Sequence, residues 1–210
     1  MISQIRPGIH HLGDQIIWVS SEIAKGRTHF DIELTPGIYE LLPDITWENR
    51  FTRYKSSFEI DYSCKLTNFD ESKFEPCEIP TNPYITVQFE TSKDGESDSP
   101  EKRVYSLDED WKKWIMNKYL SMGFELVDVG GKKWSLAQTA YIMKHSQGHV
   151  GAVSVFSLFS RCVGTNFIHQ YYNHDMRGVA ELIPDVFPTY ISLYSNNGIR
   201  SFFRDPNLGL

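Results

Sequence analysis

An aspartate beside a glycine turn is the first residue of this chain whose type and position suit catalysis. Asp14 follows Gly13 at the predicted start of a helix, and His10 and His11 lie just before the turn. A carboxylate that faces a cleft can act as a general base and deprotonate a hydroxyl group. The same position equally suits a helix cap or an acidic side chain that complements the helix dipole. Asp14 is therefore a candidate catalytic base, and His10, His11 and Gly13 are candidate substrate-binding residues around it.

Three later turns carry groups that bind phosphate. The first turn ends in Lys102-Arg103, the second is Gly130-Gly131-Lys132-Lys133, and the third leads through Ser154 into the predicted helix that carries Ser157. In a parallel sheet such turns meet at the carboxyl ends of the strands, where a helix N-terminus can hold a phosphate group. A solvated charge pair and an ordinary helix cap are the structural alternatives. The candidate substrate-binding residues in these turns are Lys102, Arg103, Gly130, Lys132, Ser154 and Ser157.

Other motifs are few. Tyr171 follows a predicted strand and is a further candidate for contact with a substrate. The seven histidines are scattered and the three cysteines form no CxxC pair, so the sequence predicts no metal site and free thiols in a reducing compartment. The sequence contains no Walker A loop, no GxGxxG fingerprint and no G-x-S-x-G elbow.

Composition narrows the class of protein. The chain has 210 residues, of which 40% are hydrophobic, and a net charge of −6 at pH 7. It can therefore bury a core, and its acidic balance argues against a general nucleic-acid binder. The sequence has neither a membrane-spanning apolar run nor a signal peptide. We therefore expect a soluble, cytoplasmic protein.

The second half predicts alternating strands and helices, which is typical of an α/β protein with a parallel sheet. Capping-box pairs mark two of its helices, Ser106 with Glu109 and Ser135 with Gln138. The predicted strands are Tyr84–Glu90, Phe124–Val129, His149–Val153 and Asn166–Gln170; the helices run from about Ser106, from Ser135 to about His145, and over Ser154–Val163.

The first half predicts a smaller unit of the same kind. A proline-bearing polar segment, Ser63–Pro83, reads as a linker, which divides the chain into residues 1–80 and residues 81–210. The elements predicted before it are strands at Ile2–Ile5, Phe30–Leu34 and Phe58–Tyr62, a helix over Asp14–Lys25 ended by Gly26, and a short helix around Ile38–Leu42.

The turns that carry these candidates resemble those of a known family. Ile5-Arg6-Pro7-Gly8, Gly13-Asp14 and the amphipathic helix after them look like the opening of family 9 glycosyltransferases, which include the bacterial heptosyltransferases. The order of elements in the second half is similar to that of the family as well. The segments GFELVDVG and SLAQTAYIMKHSQGHVGAVSVFSLFSRCVGTNFI carry that similarity, which covers residues 2–42 and 84–172.

The resemblance implies a GT-B fold of two Rossmann-like lobes, with the N-terminal acceptor-side lobe reduced. It implies a nucleotide-sugar donor, held mainly by the C-terminal lobe, and no metal or other cofactor. Asp14 matches the catalytic base, Lys102 or Arg103 the phosphate-binding cation, and Ser154 and Ser157 the diphosphate turn. Three positions depart from the pattern: Val153, Val155 and Leu158 stand where the family usually has Asp, Gly and His.

The predicted function is therefore transfer of a sugar from a nucleotide-sugar to an acceptor hydroxyl. The acceptor is either a carbohydrate such as lipopolysaccharide, or a hydroxymethylated base in phage DNA, for which Tyr171, Tyr172 or Trp47 would stack the extruded base. For a phage enzyme the location would be the host cytoplasm. The departures at the diphosphate turn leave an alternative function, a non-catalytic nucleotide- or partner-binding protein.

Overall fold

A computed structural model gives the architecture. The described residues are 3–4, 12–31, 38–43, 46–48, 65–89, 107, 109–130, 133–152, 154–172, 178–182 and 199–203. The predicted strand over Phe58–Tyr62 and the cap at Ser106 lie outside them.

The first half forms a small parallel sheet. Strands β1 (Ser3–Gln4), β2 (His29–Asp31) and β3 (Thr46–Glu48) pair side by side in that order. Helix α1, Leu12–Ala24, connects β1 to β2 as predicted. Gly26 follows the end of α1 with a φ of 81°, a left-handed conformation that glycine adopts without steric cost.

The second half forms a six-stranded sheet in the order β5-β4-β6-β7-β8-β9. The four strands from β5 to β7 are parallel, as the strand–helix alternation predicts, and the α/β class is confirmed. Strands β8 and β9 add an antiparallel edge, which the sequence patterns did not predict. The strands are β4 Tyr84–Gln88, β5 Glu125–Asp128, β6 His149–Ala152, β7 Ile168–Tyr172, β8 Gly178–Leu182 and β9 Ile199–Phe203.

Helices cover both faces of this sheet. Side chains alternate between the faces of a strand, so that Ile85 packs with Trp111 of α2 while Tyr84 reaches the backbone of α3 through its hydroxyl. The helices are α2 Glu109–Ser121, α3 Leu136–His145 and α4 Val155–Val163. Among the described residues, no helix is long and apolar enough to cross a membrane.

The segment predicted as a linker is packed where the structure describes it, from residue 65 onward. Leu66 and Phe69 are buried in one core together with side chains of α1, α3 and α4. The backbone N–H of Thr67 donates to Ser20 Oγ of α1, and that of Phe69 donates to the Cys162 carbonyl of α4. This segment therefore ties elements of the first half to elements of the second.

Candidate functional site

The strand order reverses at the carboxyl ends of β4 and β6, the place that we call the crevice. The chain leaves β4 to form β5 on one side, and then returns to form β6 on the other. Ligands of open α/β sheets bind at such a reversal of strand order, because the connections to the two sides leave the crevice open.

Gln88, the last residue of β4, is buried at this crevice with 2% of its surface exposed. Its Oε1 atom has no hydrogen-bond partner among the described residues. One glycine lies on each side of it, Gly151 on β6 and Gly130 just after β5: a Cβ atom on Gly151 would lie 2.3 Å from the Gln88 carbonyl oxygen, and one on Gly130 would lie 3.5 Å from Gln88 Cγ. Sequence reasoning missed Gln88; the only local signal is a polar residue inside an apolar strand.

The N-terminus of α4 directly follows β6 at the same edge. Ser154 has extended backbone angles, and its hydroxyl accepts a hydrogen bond from the Phe156 N–H at 3.2 Å. Ser157, in the first turn, is fully buried, and its Oγ has no partner among the described residues. A helix N-terminus presents N–H groups and a partial positive charge, which together favour an anion. Of the two serines predicted here, Ser154 caps the helix, and Ser157 places an unpaired hydroxyl inside the first turn.

The N-terminus of α3 is closed by side chains of the protein itself. The predicted capping box is confirmed: Ser135 Oγ accepts from the Gln138 N–H at 3.0 Å, and Gln138 Oε1 accepts from the Ser135 N–H at 3.1 Å. The carboxylate of Glu75, on the packed segment, then accepts from Ser135 Oγ at 3.0 Å and from Gln138 Nε2 at 3.3 Å. A carboxylate of the chain therefore already stands at the positive end of α3.

The glycine–lysine turn before α3 is also internally paired. The Gly130 N–H donates to Asp128 Oδ1 at 2.8 Å, and the indole N–H of Trp134 donates to the Asp128 carbonyl at 3.2 Å. Lys133 lies over the Trp134 ring, 4.4 Å from its centroid. Gly130 thus lies beside the Gln88 side chain, while its N–H is bonded to Asp128. Lys132 lies outside the described residues.

The first turn is described only in part. Gly13 is buried in the first turn of α1, and Asp14 occupies the next helical position. The side chain of Asp14 lies outside the described part of the structure, as do His10, His11, Lys102 and Arg103.

Tyr171 is a core residue in this structure. It is 0% exposed, and its hydroxyl lies 2.9 Å from that of Tyr119 on α2. Tyr119 also bonds His169 Nδ1 at 2.7 Å, and Trp111 packs against the Tyr171 ring edge to face. These contacts use the ring and the hydroxyl that the sequence suggested for substrate binding.

The amino end of β6 holds a buried titratable group. His149 is fully buried, and its Nδ1 lies 3.1 Å from Thr86 Oγ1. Burial disfavours the charged imidazolium and lowers the pKa of His149 to about 3. The side chain is therefore neutral at physiological pH and belongs to the core, away from the crevice.

Comparison with known proteins identifies structures with a similar fold. No protein-family model matches the sequence, and no curated protein matches it. The structure is similar to that of TibC, a bacterial iron-containing dodecameric glycosyltransferase from enterotoxigenic E. coli H10407. The TM-score is 0.54 at 12% sequence identity, over 78% of this chain and 55% of TibC.

A second structure of TibC, described as a dodecameric iron-containing heptosyltransferase in complex with ADP-D-β-D-heptose, also matches. Its TM-score is 0.56 at 11% identity, over 81% of this chain and 57% of that one. The chain therefore spans little more than half the length of the TibC chains that it matches. At these identities the similarity concerns architecture: the protein has an α/β fold like that of a glycosyltransferase.

Proposed function

We propose that this protein is a nucleotide-sugar-dependent glycosyltransferase that moves a sugar to an acceptor hydroxyl. The observation that carries the proposal is the buried, unpaired Ser157 hydroxyl in the first turn of α4, the helix that follows β6; the neighbouring strand β4 ends in the unpaired Gln88. Buried polar groups are normally paired, and a bound ligand is one reason for an exception. A diphosphate fits this place because a helix N-terminus attracts negative charge.

The fold supports the same assignment. TibC, which shares the architecture, is described in complex with ADP-D-β-D-heptose, a nucleotide-sugar. In our proposal residues 81–210 form the nucleotide-sugar-binding lobe and residues 1–80 a reduced acceptor-side lobe, in a GT-B-like arrangement that resembles family 9. The similarity to TibC covers 81% of this chain, so it includes part of the first half as well as the second half.

The proposed reaction is a direct displacement at the anomeric carbon of the donor sugar. Asp14 takes the proton of the acceptor hydroxyl, whose oxygen forms the new bond to the anomeric carbon. The bond from that carbon to the phosphate oxygen breaks, and the nucleoside diphosphate leaves with the bonding pair. Lys102, Arg103 and the N-terminus of α4 stabilise the negative charge that develops on the leaving group.

The acceptor is a carbohydrate such as lipopolysaccharide or a hydroxymethylated base in phage DNA. Binding to duplex DNA that weakens steeply with salt would favour the DNA acceptor, because phosphate contacts release counterions. Salt-independent transfer to a sugar would favour the carbohydrate. The proposed location is the cytoplasm, in keeping with the reducing environment expected from the cysteines, and it would be the host cytoplasm for a phage protein.

The proposed transfer uses no metal. TibC is described as iron-containing, whereas the described residues of this chain include no group of three or more His, Cys, Asp or Glu side chains that could hold a metal ion. In this proposal the α4 N-terminus, Lys102 and Arg103 stabilise the charge that develops on the leaving group.

A second candidate is a non-catalytic nucleotide-binding protein derived from such an enzyme. The observation that favours it is Leu158, which stands where the resembling family has histidine and is buried in the core at 1% exposure. A leucine can neither donate a hydrogen bond to a phosphate oxygen nor move a proton. A protein of this kind would bind a nucleotide at the crevice but would not catalyse sugar transfer.

One experiment separates the two candidates. The wild-type protein is incubated with a panel of ADP-, UDP-, GDP- and CMP-sugars, and sugar release is measured by chromatography. We expect slow hydrolysis of one donor, and faster turnover of that donor with its acceptor. Asp14→Asn should lower turnover by about 10²–10⁴-fold, while Asp110→Asn, a matched change at an exposed position of α2, should not. Nucleotide binding without any turnover would support the second candidate.

A further inference from the structure

Gln88 presents an acceptor to which the described protein offers no donor. A carboxamide oxygen accepts up to two hydrogen bonds, and burial without one costs free energy. The Oε1 atom of Gln88 is buried and unpaired among the described residues, whereas its amide nitrogen is not among the buried unpaired atoms. The oxygen therefore points to a donor that a ligand supplies.

Two glycines leave room for Gln88 at the end of its strand. On one side β6 approaches so closely that Gly151 is the residue which leaves room for the Gln88 carbonyl. On the other side the Gln88 side chain packs against Gly130, at the carboxyl end of β5. The carboxylate of Asp128 holds the Gly130 N–H and with it this turn. Gln88 is thus the last residue of a strand that pairs with β5 on one side and β6 on the other, so that the sheet holds its backbone in place.

Gln88 and the α4 N-terminus suit different parts of one ligand. The first turn of α4 attracts an anion, but an unpaired carboxamide oxygen repels phosphate oxygens and needs a hydrogen-bond donor. In a nucleotide-sugar, hydroxyl groups adjoin the diphosphate on both sides, on the ribose and on the transferred sugar. Because β4 and β6 are neighbours, a ligand whose diphosphate lies on α4 can bring such a hydroxyl to Gln88.

We propose that Gln88 determines donor specificity by accepting a hydrogen bond from a hydroxyl group of the ligand, on the ribose or on the transferred sugar. This inference rests on the proposed function. A buried acceptor left unpaired by a deoxy analogue penalises that analogue, which is how a site built around a hydroxyl rejects ligands that lack it.

Gln88→Met tests the proposal because methionine keeps the length of the side chain and removes the acceptor. Gln147→Met is the matched control, since Gln147 is exposed and lies just before β6, at the opposite edge of the sheet. Calorimetric titration of each protein uses ADP, GDP, UDP and CDP, their 2′-deoxy and 3′-deoxy forms, and the corresponding nucleotide-sugars. A ribose contact would show as discrimination against a deoxynucleotide, and a sugar contact as tighter binding of the nucleotide-sugar than of the diphosphate.

We expect the wild type to prefer the ligand with the critical hydroxyl by roughly tenfold, and Gln88→Met to lose that preference through weaker binding of the hydroxylated ligand alone. Gln147→Met should behave as the wild type. Equal affinities of wild type and Gln88→Met, or an equal loss for hydroxylated and deoxy ligands, would overturn the inference and leave the glycosyltransferase assignment standing. A wild type that binds no nucleotide or nucleotide-sugar would overturn both.

A second readout needs no ligand. Removal of a buried acceptor that lacks a partner relieves its desolvation cost, so Gln88→Met should raise the Tm of the ligand-free protein by about 2–4 °C. If Gln88 instead had a structural role, the same substitution would lower the Tm, and the assignment to ligand recognition would be wrong.

Discussion

The N-termini of α3 and α4 lie at the same edge of one sheet and differ in what meets them. Both helices follow parallel strands, and both begin with a serine cap whose hydroxyl accepts a backbone N–H. At α3, Gln138 Oε1 accepts a hydrogen bond from the Ser135 N–H, and the Glu75 carboxylate accepts from the side chains of Ser135 and Gln138. At α4 the chain supplies a buried hydroxyl without a partner.

In our proposal this contrast separates a helix end that serves the fold, at α3, from one that binds a ligand, at α4. The closed end at α3 gains stability from its capping box and ties Glu75 to the sheet. At α4 the buried Ser157 hydroxyl lacks the hydrogen bond that would stabilise it, which is the cost we expect of the proposed binding site. Removal of a serine hydroxyl should therefore lower the free energy of unfolding at α3 and should not lower it at α4.

The largest expected effect is a loss of folding stability at low pH, which His149 causes. The folded-state pKa of His149, about 3, lies below its unfolded value of 6.5. Between these values the unfolded chain binds a proton that the native state does not, so stability is complete above pH 6.5 and falls as the pH is lowered. The loss should reach about 3 kcal/mol between pH 6.5 and pH 4.

Urea unfolding at several pH values measures this dependence. His149→Asn should flatten it, whereas His145→Asn, at an exposed position of α3, should not. An unchanged slope in His149→Asn would show that another group causes the acid sensitivity. Comparisons between the two helix ends are then best made above pH 6.5.

The next effect separates the glycines on the two sides of Gln88. Gly151→Ala would place a Cβ atom 2.3 Å from the Gln88 carbonyl oxygen, which the paired strands can relieve only by moving apart. We expect a loss of about 1–3 kcal/mol in the free energy of unfolding. Gly130→Ala meets its nearest atom at 3.1 Å and should cost less than about 1 kcal/mol. Urea unfolding of the pair is the measurement, and equal losses would contradict the close approach at β6.

The smallest expected effects are those of removing a serine hydroxyl at each of the two helix ends. Ser135→Ala removes the capping hydroxyl and the contact with Glu75, so it should lower the free energy of unfolding by about 1 kcal/mol. Ser157→Ala removes a buried hydroxyl that has no partner, so it should leave stability unchanged or raise it by a few tenths of a kcal/mol. Chemical denaturation above pH 6.5 compares them. Destabilisation by Ser157→Ala as large as that by Ser135→Ala would mean that both ends serve the fold.

Local sequence patterns predicted one half of this contrast. The capping box at Ser135 and Gln138, the cap at Ser154 and the parallel strands from β4 to β7 all follow from short-range signals, because capping and periodicity depend on neighbours in the chain. These signals placed a helix N-terminus after β5 and another after β6. They did not distinguish the closed end from the open one.

Long-range contacts decided the rest. Glu75 reaches Ser135 across 60 residues, a pairing that no local pattern indicates. Gln88 looks like one polar residue in a strand until Gly130 and Gly151 are placed beside it. Tyr171 follows the predicted strand Asn166–Gln170, in a position typical of a ligand contact, but in the structure it lies within β7 and packs against α2. The packed segment after residue 65 reads as a linker because its buried residues, Leu66 and Phe69, are few among polar ones.

The central claim is that the N-terminus of α4, and not that of α3, binds the diphosphate of a nucleotide-sugar. Ser154→Asp and Ser135→Asp test it most directly, because aspartate also caps helices and adds a negative charge at each end; at Ser135 it also loses the hydrogen bond to Glu75 and faces that carboxylate. The measurement is the Kd of each variant and of the wild type for nucleoside diphosphates, by calorimetry. We predict that Ser154→Asp weakens binding at least tenfold and that Ser135→Asp leaves the Kd unchanged. Equal affinity in the wild type and Ser154→Asp, or a loss confined to Ser135→Asp, would contradict the account.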